Sequence, residues 1–315
     1  MRIATLLPSA TEIVCALGLA DEIVAVTHEC DYPPEIRGRP VVVRSLIDAA
    51  GLASGEIDAR VEGAARRGES LYQIDVEALA AAGPDLLITQ DLCRVCALPS
   101  MDVDAAVAAL PGAPRVLRLH PHRLDEILDD IVAVGAATGR AAQAHRLVGR
   151  LRERIARVEA AVRGRPRPGV FCMEWLDPPF CGGHWMPELV ALAGGRELLG
   201  QAGRPSSRVG WDAIVRASPE VIVLTVCGFD VARTQQELPL LEARPEWRDL
   251  AAVRAGRVYA TDASSYFSRS GPRVVDGLEI LAAILHPEAA RWATPPDAWA
   301  PVGESSRRRA GPPSA

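Results

Sequence analysis

The sequence predicts an α/β protein with two similar lobes, each built around a parallel β-sheet, and a long rigid bridging helix between them. Three observations indicate this fold class. Apolar strand-like segments alternate with amphipathic helical segments, a stretch in the middle of the chain is helical only, and one helix–strand pattern occurs twice. A chain of 315 residues is also long enough for about two domains.

The first part of the chain, residues 1–119, is predicted to form a Rossmann-like N-terminal lobe. Apolar strands bracketed by helices are typical of a parallel sheet that is covered on both faces. The strand-like segments are 2–7, 22–26, 41–43, 85–89 and 115–119, and the helical segments are 11–17, 75–82 and 102–110.

Residues 120–163 carry a helical pattern only, which Gly139 interrupts. As a single helix, residues 141–163 would span about 34 Å at 1.5 Å per residue. A crossover within one small sheet needs less than this length. We therefore predict that residues 120–163 form the bridging helix.

Residues 164–286 are predicted to form a second, similar lobe, and the Pro-, Ala-, Ser- and Arg-rich residues 287–315 a flexible tail. Residues 77–88 match residues 212–223 position by position, with Pro84 at the place of Pro219. Residues 11–18 similarly match residues 187–194, and two matches in the same order indicate a duplication. The strand-like segments of this half are 169–174, 220–225 and 257–260, and the helical segments are 187–193, 211–217 and 273–285.

Composition excludes several classes of partner. The 35 Lys and Arg residues against 40 Asp and Glu residues give a net charge of −5, with no basic stripe for nucleic acid or an anionic membrane. No apolar run reaches the ~18 residues of a membrane helix, so no membrane insertion is expected. An odd number of cysteines, seven, favours a reducing compartment.

The beginning of the sequence does not have the pattern of a signal peptide, because Pro8 and Glu12 interrupt the apolar stretch. The sequence as written therefore predicts a cytoplasmic protein. A translation start upstream of Met1 would allow a periplasmic or other extracytoplasmic location instead.

Aromatic and histidine side chains concentrate in the loops that follow the predicted strands. These loops hold seven of the 14 aromatic residues and four of the six histidines. Ligands bind at the carboxyl ends of the strands in an open parallel sheet, so the pattern predicts a ligand cleft between the lobes. A single loop aromatic can equally anchor its loop to its own lobe. The candidate ligand-binding residues are His28, Glu29, Tyr32, Gln90, Glu174, Trp175, His184, Trp185, Phe229, Tyr266, Phe267 and Arg269.

A Cys-x-x-Cys pair, Cys93 and Cys96, has the spacing of a Zn²⁺ site, an iron–sulfur site or a dithiol redox pair. His28 and Cys30 follow a strand that we expect to lie beside it, and they would complete a four-ligand set. One such pair is half a metal site, however, and small buried cysteines are common. The missing Gly-x-Ser-x-Gly elbow disfavours a serine hydrolase. Glu29 and Glu174 could form an acid/base pair, but the sequence does not set their distance, so no catalytic residue is predicted.

Several of these motifs resemble a known family. Residues 6–18, 84–88 and 187–195, with the final strand–helix unit, resemble the substrate-binding proteins of ABC importers for cobalamin and ferric siderophores, which are of the helical-backbone, class III type. The similarity covers about residues 2–286. Four further segments resemble one subgroup of this family, which is usually labelled cobalamin-binding proteins. They are residues 28–33, 70–75, 89–97 and 181–185.

The resemblance implies a non-catalytic carrier that holds a cobalamin-like corrinoid or another metal chelate between aromatic rings and works with an ABC permease. It implies that a histidine such as His28 or His184 approaches the metal. By the same resemblance, the rings are Tyr32 on one lobe and Trp175, Trp185, Tyr266 and Phe267 on the other.

Two features depart from the importer pattern: the first strand begins at Arg2, and Cys93 and Cys96 are additional. They favour an alternative, an intracellular metalloprotein or enzyme with a metal site formed by these two cysteines, His28 and Cys30. A third hypothesis is a fold retained only as a partner-binding module.

Overall fold

A computed structural model describes residues 1–90 and 100–303, with only the backbone of Ser100. The described chain forms two compact units, and each unit contains one β-sheet. The predicted α/β fold with two sheets of mainly parallel strands is therefore confirmed. The first unit comprises residues 1–52, 56–151 and 270–272, and the second comprises residues 53–55, 152–269 and the described residues from Arg273 onward.

The sheet of the first unit has six strands in the order β4-β3-β2-β1-β5-β6. All neighbouring strands are parallel except the antiparallel pair β3 and β4. The strands are β1 Ile3–Thr5, β2 Ile23–Thr27, β3 Val41–Ser45, β4 Tyr72–Ile74, β5 Leu86–Gln90 and β6 Arg115–Leu119.

Helices connect these strands, and capping residues explain where one of the helices, α3, begins and ends. Asp75 precedes α3 and its side chain accepts a hydrogen bond from the backbone N–H of Ala78 at 2.9 Å. Gly83 ends the same helix at φ +51°, a left-handed conformation that suits glycine. The helices are α1 Pro8–Ala16, α2 Ser54–Arg67, α3 Val76–Ala82, α4 Ser100–Ala108, α5 Leu124–Ala137 and α6 Ala141–Val162.

In the first unit, one α-helix and one strand were not predicted from the sequence. Helix α2 and strand β4 lie between the predicted strand 41–43 and the predicted helix 75–82. Many charged side chains in α2 hide its apolar face from a simple pattern. The division between the two units falls inside helix α6, between Leu151 and Arg152.

The sheet of the second unit has the order β10-β8-β7-β11-β12-β13, and β9 pairs with β7. The central strands β7, β11 and β12 are parallel and almost entirely buried, as their continuous apolar sequences predict. The strands are β7 Gly169–Leu176, β8 Pro179–Cys181, β9 Arg196–Glu197, β10 Ser207–Arg208, β11 Val221–Leu224, β12 Val258–Thr261 and β13 Trp299–Pro301.

The helices of the second unit are short except for the last one. They are α7 Met186–Leu192, α8 Trp211–Ala217, α9 Val231–Gln236, α10 Leu238–Glu242, α11 Pro245–Asp249, α12 Ala251–Arg254, α13 Ala263–Tyr266 and α14 Val274–Leu285. No helix in the described parts of the chain, 1–90 and 100–303, has the length and apolar character that a membrane span requires.

The predicted flexible tail is not what the structure shows for residues 287–303. Trp299–Pro301 form β13, which pairs antiparallel with β12. The Trp299 ring contacts the ring of Tyr259 edge to face, with the centroids 5.7 Å apart. Prolines suggested a tail, but proline is tolerated on an edge strand such as this one. Residues 304–315 lie outside the described residues.

The two matching sequence units also have matching local structure. Gly83 follows α3 and Ser218 follows α8, and these two equivalent positions adopt the left-handed conformation, at φ +51° and φ +45°. Gly18 and Gly194, which end the second pair of matching segments, have φ values of +78° and +83°. A non-glycine residue in this conformation is uncommon. The agreement therefore supports the predicted duplication.

Candidate functional site

The candidate residues of the first unit lie where parallel strands end. His28 and Glu29 follow β2 and are exposed, and Tyr32, a few residues further, is 44% exposed. The Nδ1 atom of His28 is 3.2 Å from the carbonyl oxygen of Val43. Gln90 ends β5 and is half-buried. These side chains are accessible on the carboxyl edge of the sheet, where ligands of parallel sheets bind.

Cys30 has different surroundings from its neighbours in the sequence. Its side chain is buried, and Sγ accepts hydrogen bonds from the Thr11 hydroxyl at 3.0 Å and from the backbone N–H of Thr27 at 3.4 Å. The Thr11 hydroxyl is in turn 2.6 Å from that of Thr5. The thiol therefore belongs to a buried cluster of hydroxyl groups, which does not favour it as a metal ligand.

The order of the strands differs from the one expected for the Cys-x-x-Cys pair. Strand β1 lies between β2, which precedes His28 and Cys30, and β5, which precedes the pair. The position of a strand within the sheet cannot be read from its position in the sequence. Cys93 and Cys96 themselves lie outside the described residues. Among the residues that the structure describes, no group of three or more His, Cys, Asp or Glu side chains is arranged to hold a metal ion.

In the second unit, Trp175 and Phe229 pack together at the ends of β7 and β11, with ring centroids 5.5 Å apart. The guanidinium group of Arg233 lies over the Phe229 ring at 4.8 Å, a cation–π contact. The indole Nε1 of Trp175 donates a hydrogen bond to the carbonyl oxygen of Ser54 at 3.2 Å. Phe229 is buried and Trp175 is half-buried, so the exposed part of this pair is the Trp175 ring.

A buried carboxylate stands beside this aromatic pair. Glu237 accepts hydrogen bonds from the backbone N–H of Ser54, and its Oε1 forms a 2.6 Å ion pair with Arg233. Ser54, Arg233 and Glu237 were not candidates in the sequence. The spacing of Arg233 and Glu237, four residues apart, is a helical ion-pair signal. No local signal links either residue to Ser54.

His184 and Trp185 form a second ring pair, with centroids 5.7 Å apart. His184 has φ +50°, and its backbone is fixed because its N–H donates to Arg204 and its carbonyl oxygen accepts from Gly203. A non-glycine residue in this conformation costs about 1–2 kcal/mol, and such strain concentrates at functional sites. Trp185 is buried, and its Nε1 donates to the carbonyl oxygen of Phe267 at 3.0 Å.

Glu174 holds the loop that carries His184. Its Oε2 accepts hydrogen bonds from the backbone N–H of Gly183 at 3.3 Å and from the hydroxyl of Ser206. Gly183 has no space for a side chain, since a Cβ atom there would lie 2.3 Å from the backbone nitrogen of Ser206. The glycine pair that the sequence shows before α7 is therefore required by close backbone packing.

The third ring group follows β12. The Arg273 guanidinium lies over the half-buried Tyr266 ring at 5.5 Å. Asp262 caps the short helix α13 by accepting from the backbone N–H of Ser265 at 3.0 Å. Phe267 and Arg269 are buried. Tyr266 is thus the member of this group that presents a ring to the surface.

Burial divides the predicted ring residues of the second unit into two classes. Trp185, Phe229 and Phe267 pack into the unit and support the loops, which is the alternative that the sequence left open. The half-buried rings of this unit's candidates are Trp175, His184 and Tyr266.

Beneath these loops, Glu197 is a buried carboxylate that the sequence did not single out. Burial raises its pKa, although backbone N–H groups of Cys172, Leu199 and Gly200 donate to it. Burial also raises the pKa of the Cys172 thiol well above its ordinary value, and the carboxylate of Glu197 adds to the effect. These groups hold the loop between β9 and β10 in place.

A cavity of about 760 Å³ lies elsewhere in the first unit, beside α2. Its lining includes Leu46, Arg60, Arg67 and Leu71. None of the candidate ligand residues lines it, so the cavity and the candidate residues of this unit are separate features.

Comparison with known proteins agrees with this architecture. A sequence profile of the periplasmic binding protein family matches residues 3–265. An uncharacterized ABC transporter substrate-binding lipoprotein of Bacillus subtilis, YvrC, is 25% identical over 299 residues, 91% of this chain and 80% of the relative. A vitamin B12-binding protein of Vibrio cholerae is 23% identical over 291 residues, 90% of this chain and 88% of the relative.

A solved structure is similar over nearly the whole chain. The periplasmic heme-binding protein of Pseudomonas aeruginosa matches with a TM-score of 0.70 and 22% identity, over 96% of this chain and 98% of that protein. The likeness shows that the fold is shared. All three are named as binding proteins, the class that the sequence predicted. With its family profile matched over most of its length, this chain belongs to the periplasmic binding protein family.

Proposed function

We propose that this protein binds a metal chelate of the corrinoid or porphyrin type and serves as the substrate-binding component of an ABC importer. The observation that carries the proposal is the set of half-buried rings in the second unit: Trp175 near the end of β7, Tyr266 after β12, and His184 in the loop that follows β8.

The chemistry of these side chains suits a flat macrocycle that contains a metal. Indole and phenol rings offer rigid apolar area for stacking. An imidazole, here that of His184, is a good ligand for a transition metal with an open coordination position. Arg273 lies over the Tyr266 ring and supplies positive charge for an acidic group at the rim of a chelate.

The relatives favour the same class of ligand. One is named a vitamin B12-binding protein, and a solved structure of the same fold is named a heme-binding protein. Corrin and heme are both planar tetrapyrrole-type chelates, so recognition by stacked rings is common to them. In the first unit, His28, Glu29, Tyr32 and Gln90 remain the predicted ligand residues.

The partner and the location follow from the same family. We propose an ABC permease as the partner, because a relative is named as an ABC transporter substrate-binding lipoprotein. The relatives favour an extracytoplasmic location and give no support to the expected cytoplasmic one.

Titration with a panel of chelates tests the proposal. Purified protein is titrated with cyanocobalamin, heme and a ferric hydroxamate, and binding is followed by the absorption spectrum and by calorimetry. We expect at least one chelate to bind one-to-one with a Kd of about 1 μM or below, which is a free energy of about −8 kcal/mol. No spectral change and no heat with any of the three would overturn the proposal.

Comparing heme with the same porphyrin without iron tests whether the metal contributes to binding. If His184 contacts the metal, metal-free porphyrin binds more weakly than heme, and His184→Ala removes the difference. The alternative metalloprotein has its support in the spacing of Cys93 and Cys96. Elemental analysis of anaerobically purified protein tests that alternative, which requires Zn or Fe that is lost in Cys93→Ser.

A further inference from the structure

Two histidines of the first unit face each other in the turn between β6 and α5. The Nε2 atoms of His120 and His122 are 3.0 Å apart. Their rings are nearly perpendicular, at 84°, and the ring centroids are 4.6 Å apart. Neither residue belongs to the candidate set described above.

The distance between the two nitrogens agrees with joint coordination of one ion. An imidazole nitrogen lies about 2.0–2.1 Å from a bound Zn²⁺ ion, and similar lengths hold for other small divalent ions. Two such nitrogens are about 2.9 Å apart at a bond angle of 90° and about 3.4 Å apart at the tetrahedral angle. The observed separation fits a pair at 90° without movement and a tetrahedral pair after a small opening.

The chain holds this pair in place from both sides. His120 follows directly after Leu119, the buried last residue of β6, and Pro121, also buried, separates the two histidines. Proline fixes its own φ angle, which restricts the backbone between the rings. On the other side, Oε2 of Glu126 accepts hydrogen bonds from the backbone N–H groups of His122 at 2.5 Å and of Arg123 at 3.2 Å.

This arrangement lowers the cost of binding an ion. Two flexible side chains lose conformational entropy when they bind an ion. Side chains that a fixed turn already holds in place lose less of it. His120 is exposed and His122 is half-buried, so an ion reaches the pair from solvent. The described residues contain no group of three or more metal-ligating side chains, so among them this pair supplies two of the ligands.

We propose that His120 and His122 bind a divalent transition-metal ion jointly through their Nε2 atoms. Neutral imidazole suits Ni²⁺, Cu²⁺ and Zn²⁺, whereas Mg²⁺ and Ca²⁺ prefer oxygen ligands. The 90° geometry favours Ni²⁺ and Cu²⁺, which take octahedral and tetragonal sites. The site lies in the first unit and does not depend on the proposed binding of a chelate.

Calorimetric titration tests this site. Protein without a polyhistidine tag is treated with EDTA, dialysed, and titrated with NiCl₂, and with MgCl₂ as the ion that should not bind. We expect one Ni²⁺ ion per chain with a Kd in the micromolar range, and at least about a tenfold loss of affinity in His120→Ala and in His122→Ala. His145→Ala, at an exposed histidine on α6, is the matched control and should bind as the wild type does.

Two results would overturn the proposal. One is the absence of Ni²⁺ binding below about 1 mM, which leaves an ordinary N–H···N hydrogen bond between the two rings. The other is Ni²⁺ binding that persists unchanged in the double variant His120→Ala/His122→Ala, which would place the ion elsewhere. Electron paramagnetic resonance of the Cu²⁺-loaded protein supplies a direct readout, because two coordinated nitrogens give a resolved hyperfine pattern that either single variant should reduce to one. Circular dichroism of each variant verifies that the chain is folded.

Discussion

The backbone N–H of Ser54 donates a hydrogen bond to both carboxylate oxygens of Glu237, at 3.1 Å and 2.9 Å, although the two residues are 183 positions apart. Both are buried, and Ser54 is the first residue of α2. The carboxylate satisfies an N–H group that the first turn of a helix leaves without a backbone partner. Arg233 balances the buried charge from the other side.

The first prediction is that Glu237→Gln destabilises the protein. The variant leaves the Arg233 guanidinium without its carboxylate partner and weakens the hydrogen bonds to Ser54. We expect the free energy of unfolding to fall by about 1–3 kcal/mol, measured from the midpoint of urea unfolding at neutral pH. Glu62→Gln, in the exposed pair with Arg66, is the matched control and should change it by less than about 0.5 kcal/mol. Equal effects in both variants would contradict the buried cap.

The second prediction concerns the loop that carries His184. In Gly183→Ala, the new Cβ atom would meet the backbone of Arg204 and Ser206, at 2.6 Å and 2.3 Å, so the loop must move. We expect a loss of about 2 kcal/mol or more in the free energy of unfolding, together with weaker chelate binding. Gly149→Ala is the control variant, and it should raise the free energy of unfolding instead of lowering it. Gly149 is exposed within α6 and has open space around it, so alanine should stabilise the helix by up to about 1 kcal/mol.

The third prediction concerns the pH dependence of stability. Burial, with smaller contributions from the charges of Glu126 and Asp129, raises the pKa of Asp130 to about 7. Its Oδ2 is buried without a hydrogen-bond partner among the described residues. An acid whose pKa is higher in the folded chain than in the unfolded chain, about 3.9, binds a proton on folding. The contribution of Asp130 to the free energy of unfolding therefore falls as the pH rises from about 4 to about 7.

Asp130→Asn removes this titration. We expect the variant to have a higher free energy of unfolding than the wild type at about pH 8. The difference between the two proteins should be about 1–3 kcal/mol smaller at about pH 5, as measured by urea unfolding at both pH values. Glu153→Gln, at an exposed position on α6, should show no such change with pH. An advantage of Asp130→Asn that is the same at both pH values would show that Asp130 does not titrate in this range.

Much of the fold could be predicted because local patterns determine it. The continuous apolar runs at β5 and β11 fix buried strands, and the capping signals at Asp75 and Gly83 fix the ends of α3. The order of strands could not be predicted, since β1 enters between β2 and β5 through long-range pairing. For the same reason the expected adjacency of β2 and β5 was wrong.

The candidate residues show the same limit. The sequence selected the loop aromatics as a group, but it could not separate Trp175 from Phe229, because exposure depends on what packs around each ring. It also gave no sign that Ser54 contacts Glu237 or that the rings of His120 and His122 face each other. Such contacts depend on the course of the backbone, which residue types and spacing do not specify.

The central claim is that the half-buried rings of the second unit bind a metal chelate, and calorimetric titration of Trp175→Ala with the chelate that binds the wild type tests it most directly. Trp292→Ala is the matched control, since Trp292 is also half-buried and its Nε1 also donates to one backbone carbonyl, that of Glu279. We predict at least about a tenfold increase in Kd for Trp175→Ala and a change within about twofold for Trp292→Ala. Wild-type affinity in a folded Trp175→Ala protein would contradict the claim.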